Sequence, residues 1–322
     1  MLSRTAEKLY WACRYMERAE MTSRLFDVAY RISITQKNLN QKSEWESILL
    51  STAVKEEYLE KYLKINQRNV FKYLFFEEQN ESSIKNCIKF TRENLRMVRN
   101  RITAEVWDVI NSTYQEMQDL KSSKFKSSEL PNLCAWTKQK ASMLKGAIVS
   151  TQLSNDSYDF MNLGYSIERA DNTIRLIDVK NYISHSEEEG VESEFDNFQW
   201  AILLRTIAAY SQYRVAYGVN MTPQKIFHFL IFNNTNPRSL LFSLEKICDH
   251  LNNLCNFYNK QSRAFSTARR MLANLSDLRV SEIFKPNLND FLLKSTEEIN
   301  NLHILLRSSY FDGGYNVSKN QS

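Results

Sequence analysis

A twelve-residue segment occurs twice in the chain, 151 positions apart. The copies span residues 17–28 and 168–179, and eight of the twelve positions are identical without a gap. Agreement at this level is not expected by chance, and the offset is almost half of the 322 residues. The repeat therefore predicts two related helical halves rather than a solenoid of short units.

The chain contains only 6 Gly and 4 Pro, whereas average usage would give about three to four times as many. So few helix-breaking residues predict long helices, and no stretch alternates convincingly with the period of two that is typical of strands. We therefore predict an all-α, multi-helix bundle with a pseudo-two-fold repeat. Its halves, about 1–150 and 151–312, form a single domain, and the tail 313–322 is expected to be disordered.

Apolar spacing and capping residues predict the bounds of the individual helices. Thr222-Pro223 and Asn236-Pro237 each place a capping residue before a proline, a pattern typical of a helix start. The predicted helices are approximately 3–36, 44–63, 66–77, 82–113, 131–151, 158–182, 198–217, 223–232, 237–264, 267–275 and 287–306. Loops are predicted at 36–43, 121–129 and 184–197.

Each copy of the repeat carries charged residues along one helical face, opposite the apolar side. The charged face consists of Glu17, Glu20, Arg24 and Asp27 in the first copy, and of Glu168, Asp171, Arg175 and Asp178 in the second. Arg18 and Arg169, which follow the two glutamates, complete a candidate polar network.

Three interpretations of this network remain open at the level of sequence. Pairs such as Glu20–Arg24 can be solvated intrahelical ion pairs worth about 0.2–0.5 kcal/mol each. The face can also line a ligand-binding or catalytic pocket. We favour a buried, mutually paired network at the junction of the halves, because surface ion pairs contribute little and could be exchanged freely, yet both copies keep the same residue types in order.

On this interpretation, segments 10–31 and 160–182 approach each other in the middle of the molecule. A glutamate buried there without a partner would cost several kcal/mol, so each needs an arginine within reach. We expect Arg24 and Arg175 to cross between the halves as donors to Glu17 and Glu168. Arg96 or Arg99 would then close the network.

Two further groups are candidate anion contacts. Arg92, Arg96 and Arg99 belong to the densest basic segment, which could bind phosphate, carboxylate or RNA or could neutralise the acidic faces of the repeat. Arg238 and Ser239 follow a predicted helix start, where exposed amides, a hydroxyl and a guanidinium suit an anion. Local capping is the alternative for this second group.

No complete catalytic motif is present. The sequence lacks Walker and GxGxxG loops, and its four histidines form no ExxH motif with the carboxylates. We therefore predict no metal and no cofactor, and we do not expect an enzyme. The net charge of +5 is modest, so nucleic-acid binding is not expected. Charges spread through the first twenty residues, the absence of a long apolar run and five scattered cysteines without CxxC predict a cytoplasmic protein without a membrane span.

Several motifs accompany the repeated Glu-Arg pair in a fixed order. They are Leu2-Ser3-Arg4-Thr5-Ala6-Glu7, Tyr15-Met16-Glu17-Arg18-Ala19-Glu20, Arg92-Glu93-Asn94-Leu95-Arg96-Met97-Val98-Arg99, Glu105-Val106-Trp107 with Asn111, Leu163-Gly164-Tyr165-Ser166-Ile167-Glu168-Arg169-Ala170-Asp171, Leu204-Arg205 with Tyr210, Tyr213 and Arg214, Asn236-Pro237-Arg238-Ser239, and Ser309-Tyr310-Phe311. Together they resemble the bacterial alpha-E family of uncharacterised all-helical proteins, over about 1–312.

The chain departs from the family pattern near both Glu-Arg pairs. The family usually has Leu-Gly-Arg before each pair. Here Cys13 replaces the first Gly and Tyr165 replaces the second Arg, whereas Arg14 and Gly164 are kept. An Asp that often precedes the Pro-Arg-Ser turn is an Asn here.

The resemblance implies a function through the gene neighbourhood, because alpha-E proteins are typically encoded beside ATP-grasp ligases and transglutaminase-like proteins. It implies a non-catalytic accessory or scaffold protein of a peptide-ligation or peptide-modification system, with one of those proteins as its partner. One alternative is an enzyme of unknown reaction that uses a Glu/Arg-lined pocket between the halves. A second is an RNA-binding or anion-binding module.

Overall fold

The structure, a computed structural model, describes residues 1, 3–35, 41–120, 126–185, 194–284 and 287–312. Within these ranges the chain is helical and contains no strand, which confirms the all-α prediction. The helices are α1 (Ser3–Thr35), α2 (Gln41–Ser51), α3 (Lys55–Lys61), α4 (Gln67–Phe76), α5 (Ile84–Met97), α6 (Ala104–Asp119), α7 (Leu130–Thr151), α8 (Asp156–His185), α9 (Glu194–Thr206), α10 (Tyr210–Tyr217), α11 (Pro223–Ile231), α12 (Leu240–Phe257), α13 (Arg263–Asp277), α14 (Val280–Ile283) and α15 (Leu288–Leu306). None of these described helices has the length and apolar character of a membrane span.

The two longest helices, α1 and α8, pack against each other. Helices α5 and α7 pack on α1, and α12 and α15 pack on α8. Each half of the chain therefore surrounds one of the two helices that carry the sequence repeat. The contact between α1 and α8 places the repeated segments beside each other, as the sequence analysis predicts.

A glycine permits the close approach of α1 and α8. A Cβ atom at Gly164 would lie 2.3 Å from the backbone carbonyl oxygen of Tyr10 and 3.2 Å from the Cβ of Cys13. The first distance is shorter than any real contact, and the obstacle is backbone that cannot rotate away. Glycine at position 164 is thus a packing requirement of the contact between the two helices.

The halves share local structure beyond the twelve-residue repeat. Ala53 and Ala208 both adopt a positive φ, 54° and 57°, after α2 and α9 respectively. Tyr58 on α3 and Tyr213 on α10 each donate a hydrogen bond to a backbone carbonyl six or seven residues later. These recurring details support related halves, while a pseudo-two-fold axis stays a prediction.

Side-chain caps fix where several helices begin. Ser83, Thr103, Ser239 and Ser262 each accept a hydrogen bond from a backbone amide in the first turn of α5, α6, α12 and α13. Thr222 caps α11 ahead of Pro223, which confirms the predicted helix start there.

Three predicted helices are wrong because each is two helices, and a fourth has the wrong bounds. The predicted helix 82–113 is broken between α5 and α6, where Val98 and Ile102 stay buried, so the apolar spacing continues across the break. The helix predicted at 237–264 runs from Leu240 to Phe257, so the predicted start at Asn236-Pro237 is wrong: Ser239 is the cap, and Ser262 caps the separate helix α13. The predicted helices 44–63 and 198–217 are interrupted at Ala53 and Ala208. The predicted loops 36–43 and 184–197 are wrong at their ends, because α2 begins at Gln41, α8 ends at His185 and α9 begins at Glu194. Residues 36–40 and 186–193 of these loops, residues 121–125 of the predicted loop 121–129, and the tail 313–322 lie outside the described residues.

Candidate functional site

The two Glu-Arg pairs of the repeat exchange partners across the contact between α1 and α8. Arg169 donates from Nε to Glu17 Oε1 at 2.8 Å and from Nη2 to Oε2 at 3.0 Å. Arg18 does the same to Glu168, with distances of 2.7 and 3.2 Å. Both carboxylates are fully buried. Each half therefore supplies the bidentate guanidinium that neutralises the glutamate of the other half.

Each glutamate also receives a second arginine, from a different part of the chain. Arg238, which precedes α12, donates from Nη1 to Glu17 Oε1 at 3.1 Å. Arg14 on α1 donates from Nε to Glu168 Oε2 at 2.7 Å. With two guanidinium groups on each carboxylate, the buried charges are compensated by ion pairs and hydrogen bonds together.

The outer carboxylates of the repeat are paired unequally. Glu20 accepts from Arg24 at 2.8 and 2.6 Å and also from Arg238 Nη2 at 2.7 Å. Its counterpart Asp171 accepts from Arg175 through Oδ2 at 2.9 Å, and its buried Oδ1 atom has no hydrogen-bond partner. The Glu17 side of the network is therefore more completely paired than the Glu168 side.

The pairing keeps both buried glutamates ionised. Burial by itself raises the pKa of Glu17, but the charges of Arg169 and Arg238 outweigh burial and lower that pKa to about 2. Burial likewise raises the pKa of Glu168, and Arg18 and Arg14 lower it to about 2. Near neutral pH both carboxyl groups are therefore ionised and weakly basic, which suits neither to general acid catalysis and makes both poor general bases.

Lys145 on α7 lies beside the Glu17 end of the network and was not identified from the sequence. Its ammonium stands 5.2 Å from the centre of the Tyr165 ring. Burial and the positive charge of Arg169 lower the pKa of Lys145 to about 8, and the carboxylate of Glu17 acts in the opposite direction. The helical spacing of α7 alone gives no sign of this proximity, because Lys145 is one of several lysines there.

The prediction that Arg24 and Arg175 cross between the halves is wrong. Both bind a carboxylate four positions earlier on their own helix, and Arg18 and Arg169 cross instead. A helical wheel shows which residues share a face of one helix, but it does not show which of them face the neighbouring helix.

The last members of the two charged faces do not join the central network. Asp27 accepts from Arg31 at 3.1 Å and from Lys138 of α7 at 2.7 Å. Asp178 lies at an exposed position of α8. These two aspartates are identical in the repeat, yet their surroundings differ, so the identity of sequence does not extend to a shared role.

The basic segment of α5 lies away from the Glu-Arg network. Arg92 donates to Asn111 Oδ1 at 2.9 Å and stacks on Tyr114, with its guanidinium 4.5 Å from the ring centre. Arg99 stands 5.3 Å from the ring centre of a tryptophan, and Arg96 is exposed. The prediction that Arg96 or Arg99 closes the network is therefore wrong, and an anion or RNA role of this segment stays a prediction.

Arg238 and Ser239, which precede α12, have different roles. Ser239 caps α12 by accepting from the amide of Phe242 at 3.0 Å and donates to the carbonyl of Asn233. Arg238 turns to the carboxylates of the network instead. The capping alternative describes Ser239, and an anion role for Arg238 and Ser239 stays a prediction.

A cavity of about 190 Å³ lies beside the Glu168 end of the network. Among its lining residues are Arg18, Glu168, Asp171 and Arg175, whereas Glu17 is not one of them. The cavity is thus built on one end of the duplicated network and does not bring the two glutamates into a shared pocket.

Metal and thiol chemistry find little support at the described positions. Among the residues that the structure describes, no group of three or more His, Cys, Asp and Glu side chains could hold a metal ion. All five cysteines are buried, and burial raises the pKa of the Cys13 and Cys87 thiols. A buried thiol with a raised pKa is a poor nucleophile.

The fold and the network define a class of all-α proteins in which two central helices exchange Glu-Arg pairs. The family model Alpha-E, described as a predicted α-helical domain with a conserved ER motif, matches residues 1–311. The chain belongs to the Alpha-E family. No curated protein and no solved structure matches it.

Proposed function

We propose that the chain is a non-catalytic accessory or scaffold protein that acts with a bacterial peptide-ligating or peptide-modifying enzyme in the cytoplasm. The observation that carries this proposal is the complete pairing of Glu17 and Glu168. Each is buried, bound by two arginines and held ionised at neutral pH. Such a pair of glutamates stabilises the junction of two helices, and at neutral pH each has no proton to give and is only a weak base.

The resemblance to the alpha-E family supplies the partner in this proposal. It implies an ATP-grasp ligase or a transglutaminase-like protein encoded nearby, and the chain would bind that protein through its surface. Exposed apolar side chains offer places to probe such a surface. In the first half Leu63, which follows α3, is 98% exposed, and in the second half Val219, which follows α10, is 68% exposed.

The enzyme alternative requires a pocket that contains both glutamates. The cavity is lined by Glu168 but not by Glu17, and both carboxylates are already bound by guanidinium groups. These contacts favour the accessory role. The RNA-binding alternative rests on Arg92, Arg96 and Arg99, of which Arg92 and Arg99 stand over aromatic rings and Arg96 is exposed.

Reconstitution with the ligase encoded beside this chain tests the proposal. We expect the two proteins to co-elute in size-exclusion chromatography. We also expect the chain to change the yield or length of the ligated peptide several-fold, measured by mass spectrometry together with ADP release. The chain alone, given the same peptide and ATP, should form no product.

Surface variants sharpen the test. A double variant, Leu63→Ser with Val219→Ser, removes two exposed apolar side chains without touching the core. Leu153→Ser is the matched control, because Leu153 is 75% exposed and lies between α7 and α8. Loss of co-elution in the double variant alone would show that the partner contacts at least one of these two side chains. The accessory role would be contradicted if the unaltered chain did not co-elute with the ligase and did not change the product.

A further inference from the structure

The cavity beside Glu168 has a counterpart at the other end of the network, and the chain itself fills that counterpart. There, Arg238 lies between the two carboxylates of α1, with Nη1 3.1 Å from Glu17 Oε1 and Nη2 2.7 Å from Glu20 Oε1. The guanidinium of Arg238 is nearly buried, at 13% exposure. The Glu17 end thus shows how this repeated scaffold holds a guanidinium group.

The residue in the corresponding place of the first half is Ser82. The turns before α5 and α12 are built alike: Asn80 and Asn236 each donate from Nδ2 to a backbone carbonyl seven residues earlier. The residue three positions after each asparagine, Ser83 or Ser239, caps the following helix. Position 82 therefore corresponds to position 238 in the other half.

A serine cannot fill the space that an arginine fills. The Ser82 hydroxyl accepts a long hydrogen bond from Arg18 Nη1, at 3.4 Å, and lines the cavity of about 190 Å³. Water-sized sites require about 10–15 Å³ each on this measure, so the cavity has room for a side-chain-sized ligand. Ser82 therefore leaves open, next to Glu168, space of the kind that Arg238 fills in the other half.

The cavity also contains a buried acceptor that lacks a donor. Asp171 is 7% exposed, lines the cavity, and its Oδ1 atom has no hydrogen-bond partner. Its counterpart Glu20 receives two arginines, one of them Arg238. A buried carboxylate oxygen without a partner is costly, so a cationic donor from outside the chain would be bound favourably.

We propose that this cavity binds a guanidinium group supplied from outside the chain, with the carboxylate of Asp171 as its acceptor, in the place that corresponds to that of Arg238. The source is either the arginine side chain of a peptide or a small guanidinium compound. The proposal concerns binding to the chain alone and does not depend on the accessory role.

The local charge is compatible with an additional cation. At the Glu168 end, Arg14, Arg18 and Arg175 accompany two carboxylates. At the Glu17 end three arginines also accompany two carboxylates, and Lys145 lies beside them as a fourth basic group. With a bound guanidinium, the Glu168 end would have four basic groups beside two carboxylates, which is the number that the Glu17 end already has.

Binding of a peptide analogue and its neutral twin tests the proposal. The probes are N-acetyl-arginine amide and N-acetyl-citrulline amide, which differ in the charge of the terminal group. We expect the arginine probe to bind weakly, with Kd on the order of 1 mM by calorimetry, and the citrulline probe to bind at least about tenfold more weakly. Methylguanidinium chloride is the small-molecule arm: equal affinity indicates a small guanidinium ligand, and weaker affinity indicates a peptide arginine.

Two variants test the place of binding by different means. Asp171→Asn removes the charge of the acceptor and should weaken binding at least about tenfold. Ser82→Arg should fill the cavity from within, as Arg238 does in the other half, and should abolish binding without unfolding the protein. Asp108→Asn, at an exposed carboxylate on α6, is the control and should bind as the unaltered chain does.

Three outcomes would overturn the proposal. One is no binding of either guanidinium probe, which would leave a cavity that holds only water. Another is equal binding of the arginine and citrulline probes. The third is binding that Ser82→Arg leaves unchanged, because the guanidinium would then lie elsewhere.

Discussion

The two ends of the Glu-Arg network are built on the same repeat and differ in what stands next to the outer carboxylate. Beside Glu17, Arg238 enters from the second half and occupies the space. Beside Glu168, Ser82 stands at the corresponding position and leaves a cavity. The filled end shows what the scaffold needs to hold its helices together, and the open end shows what the scaffold has left available for a ligand.

The halves also differ at a second pair of corresponding positions. Arg14, on α1, gives Glu168 its second guanidinium, whereas the corresponding position on α8 is Tyr165. The two halves thus place their third arginine differently, one on the central helix and one before α12. Both inner glutamates remain doubly paired, and among the carboxylates the pairing differs at Glu20 and Asp171.

The largest expected effect comes from removing an inner glutamate. Glu17→Ala leaves Arg169 buried without its carboxylate and Arg238 with Glu20 alone, and we expect a loss of about 3–5 kcal/mol in the free energy of unfolding. Glu168→Ala should lose a similar amount, because Arg18 is 27% exposed and can turn to water, whereas Arg14 stays buried without its carboxylate. Urea denaturation measures both. Glu116→Ala, at a 47% exposed ion pair, is the control and should change stability by less than about 1 kcal/mol. A free energy of unfolding of Glu17→Ala equal to that of the unaltered chain would contradict the structural role of Glu17.

Opening the filled end should make it resemble the other. Arg238→Ser removes hydrogen bonds to Glu17 and Glu20, each of which keeps one arginine, so we expect a loss of about 2–3 kcal/mol. Methylguanidinium at millimolar concentration should restore part of the lost thermal stability, because it can re-enter the emptied place. Methylurea, which is neutral, should not. Equal effects of the two compounds would show that the place does not select a cation.

The contact between α1 and α8 should tolerate no side chain at Gly164. Gly164→Ala places a Cβ 2.3 Å from the carbonyl oxygen of Tyr10, and we expect a loss of about 1–3 kcal/mol. Gly146→Ala, within α7, is the matched control, because a Cβ there meets nothing within 4 Å. That control should gain about 0.5–1 kcal/mol from helix propensity alone. Thermal unfolding of the two variants separates packing from propensity, and a stabilised Gly164→Ala would contradict the close approach.

Acid should weaken both ends of the network. The pKa values of Glu17 and Glu168 are lowered from the ordinary 4.5 to about 2, because the arginines outweigh burial. Each glutamate therefore stabilises the fold fully above about pH 4.5 and loses this contribution as the pH falls towards 2. We expect a loss on the order of 1–2 kcal/mol per glutamate between pH 5 and pH 3, seen as a falling urea midpoint. Glu17→Gln should show a shallower fall; the same slope as the unaltered chain would mean that other groups set the acid response.

Local sequence information predicts the central helices and the buried character of their charged faces. The bounds of α1 and α8 agree closely with the predicted 3–36 and 158–182, because long runs of helical spacing are local signals. That Glu17 and Glu168 are buried and paired follows from the repetition of their residue types. The breaks after α5 and α9 were not predicted, because apolar residues remain buried on both sides of each break and the spacing hides the turn.

The identity of each donor could not be predicted, since it depends on how helices cross. Arg18 lies next to Glu17 in sequence but faces the other helix and binds Glu168. Arg238 lies 221 positions from Glu17 and reaches it only because α12 packs on α8. The comparison of Ser82 with Arg238 was available in the sequence, but the turns that align these positions become visible only in the structure.

The exchange of arginines between the Glu-Arg pairs has a consequence for how the chain can be assembled. A fragment ending after α7 would bury Glu17 with no Arg169 opposite it, and a fragment beginning at α8 would lack Arg18 in the same way. Each fragment expressed alone should therefore aggregate or stay unfolded, whereas the two mixed together should recover the helical signal in a concentration-dependent manner. The same reciprocity would let two copies of a single half satisfy each other's Glu-Arg pairs as a homodimer, and a fusion of the two copies would keep the exchange of Arg18 and Arg169 in place.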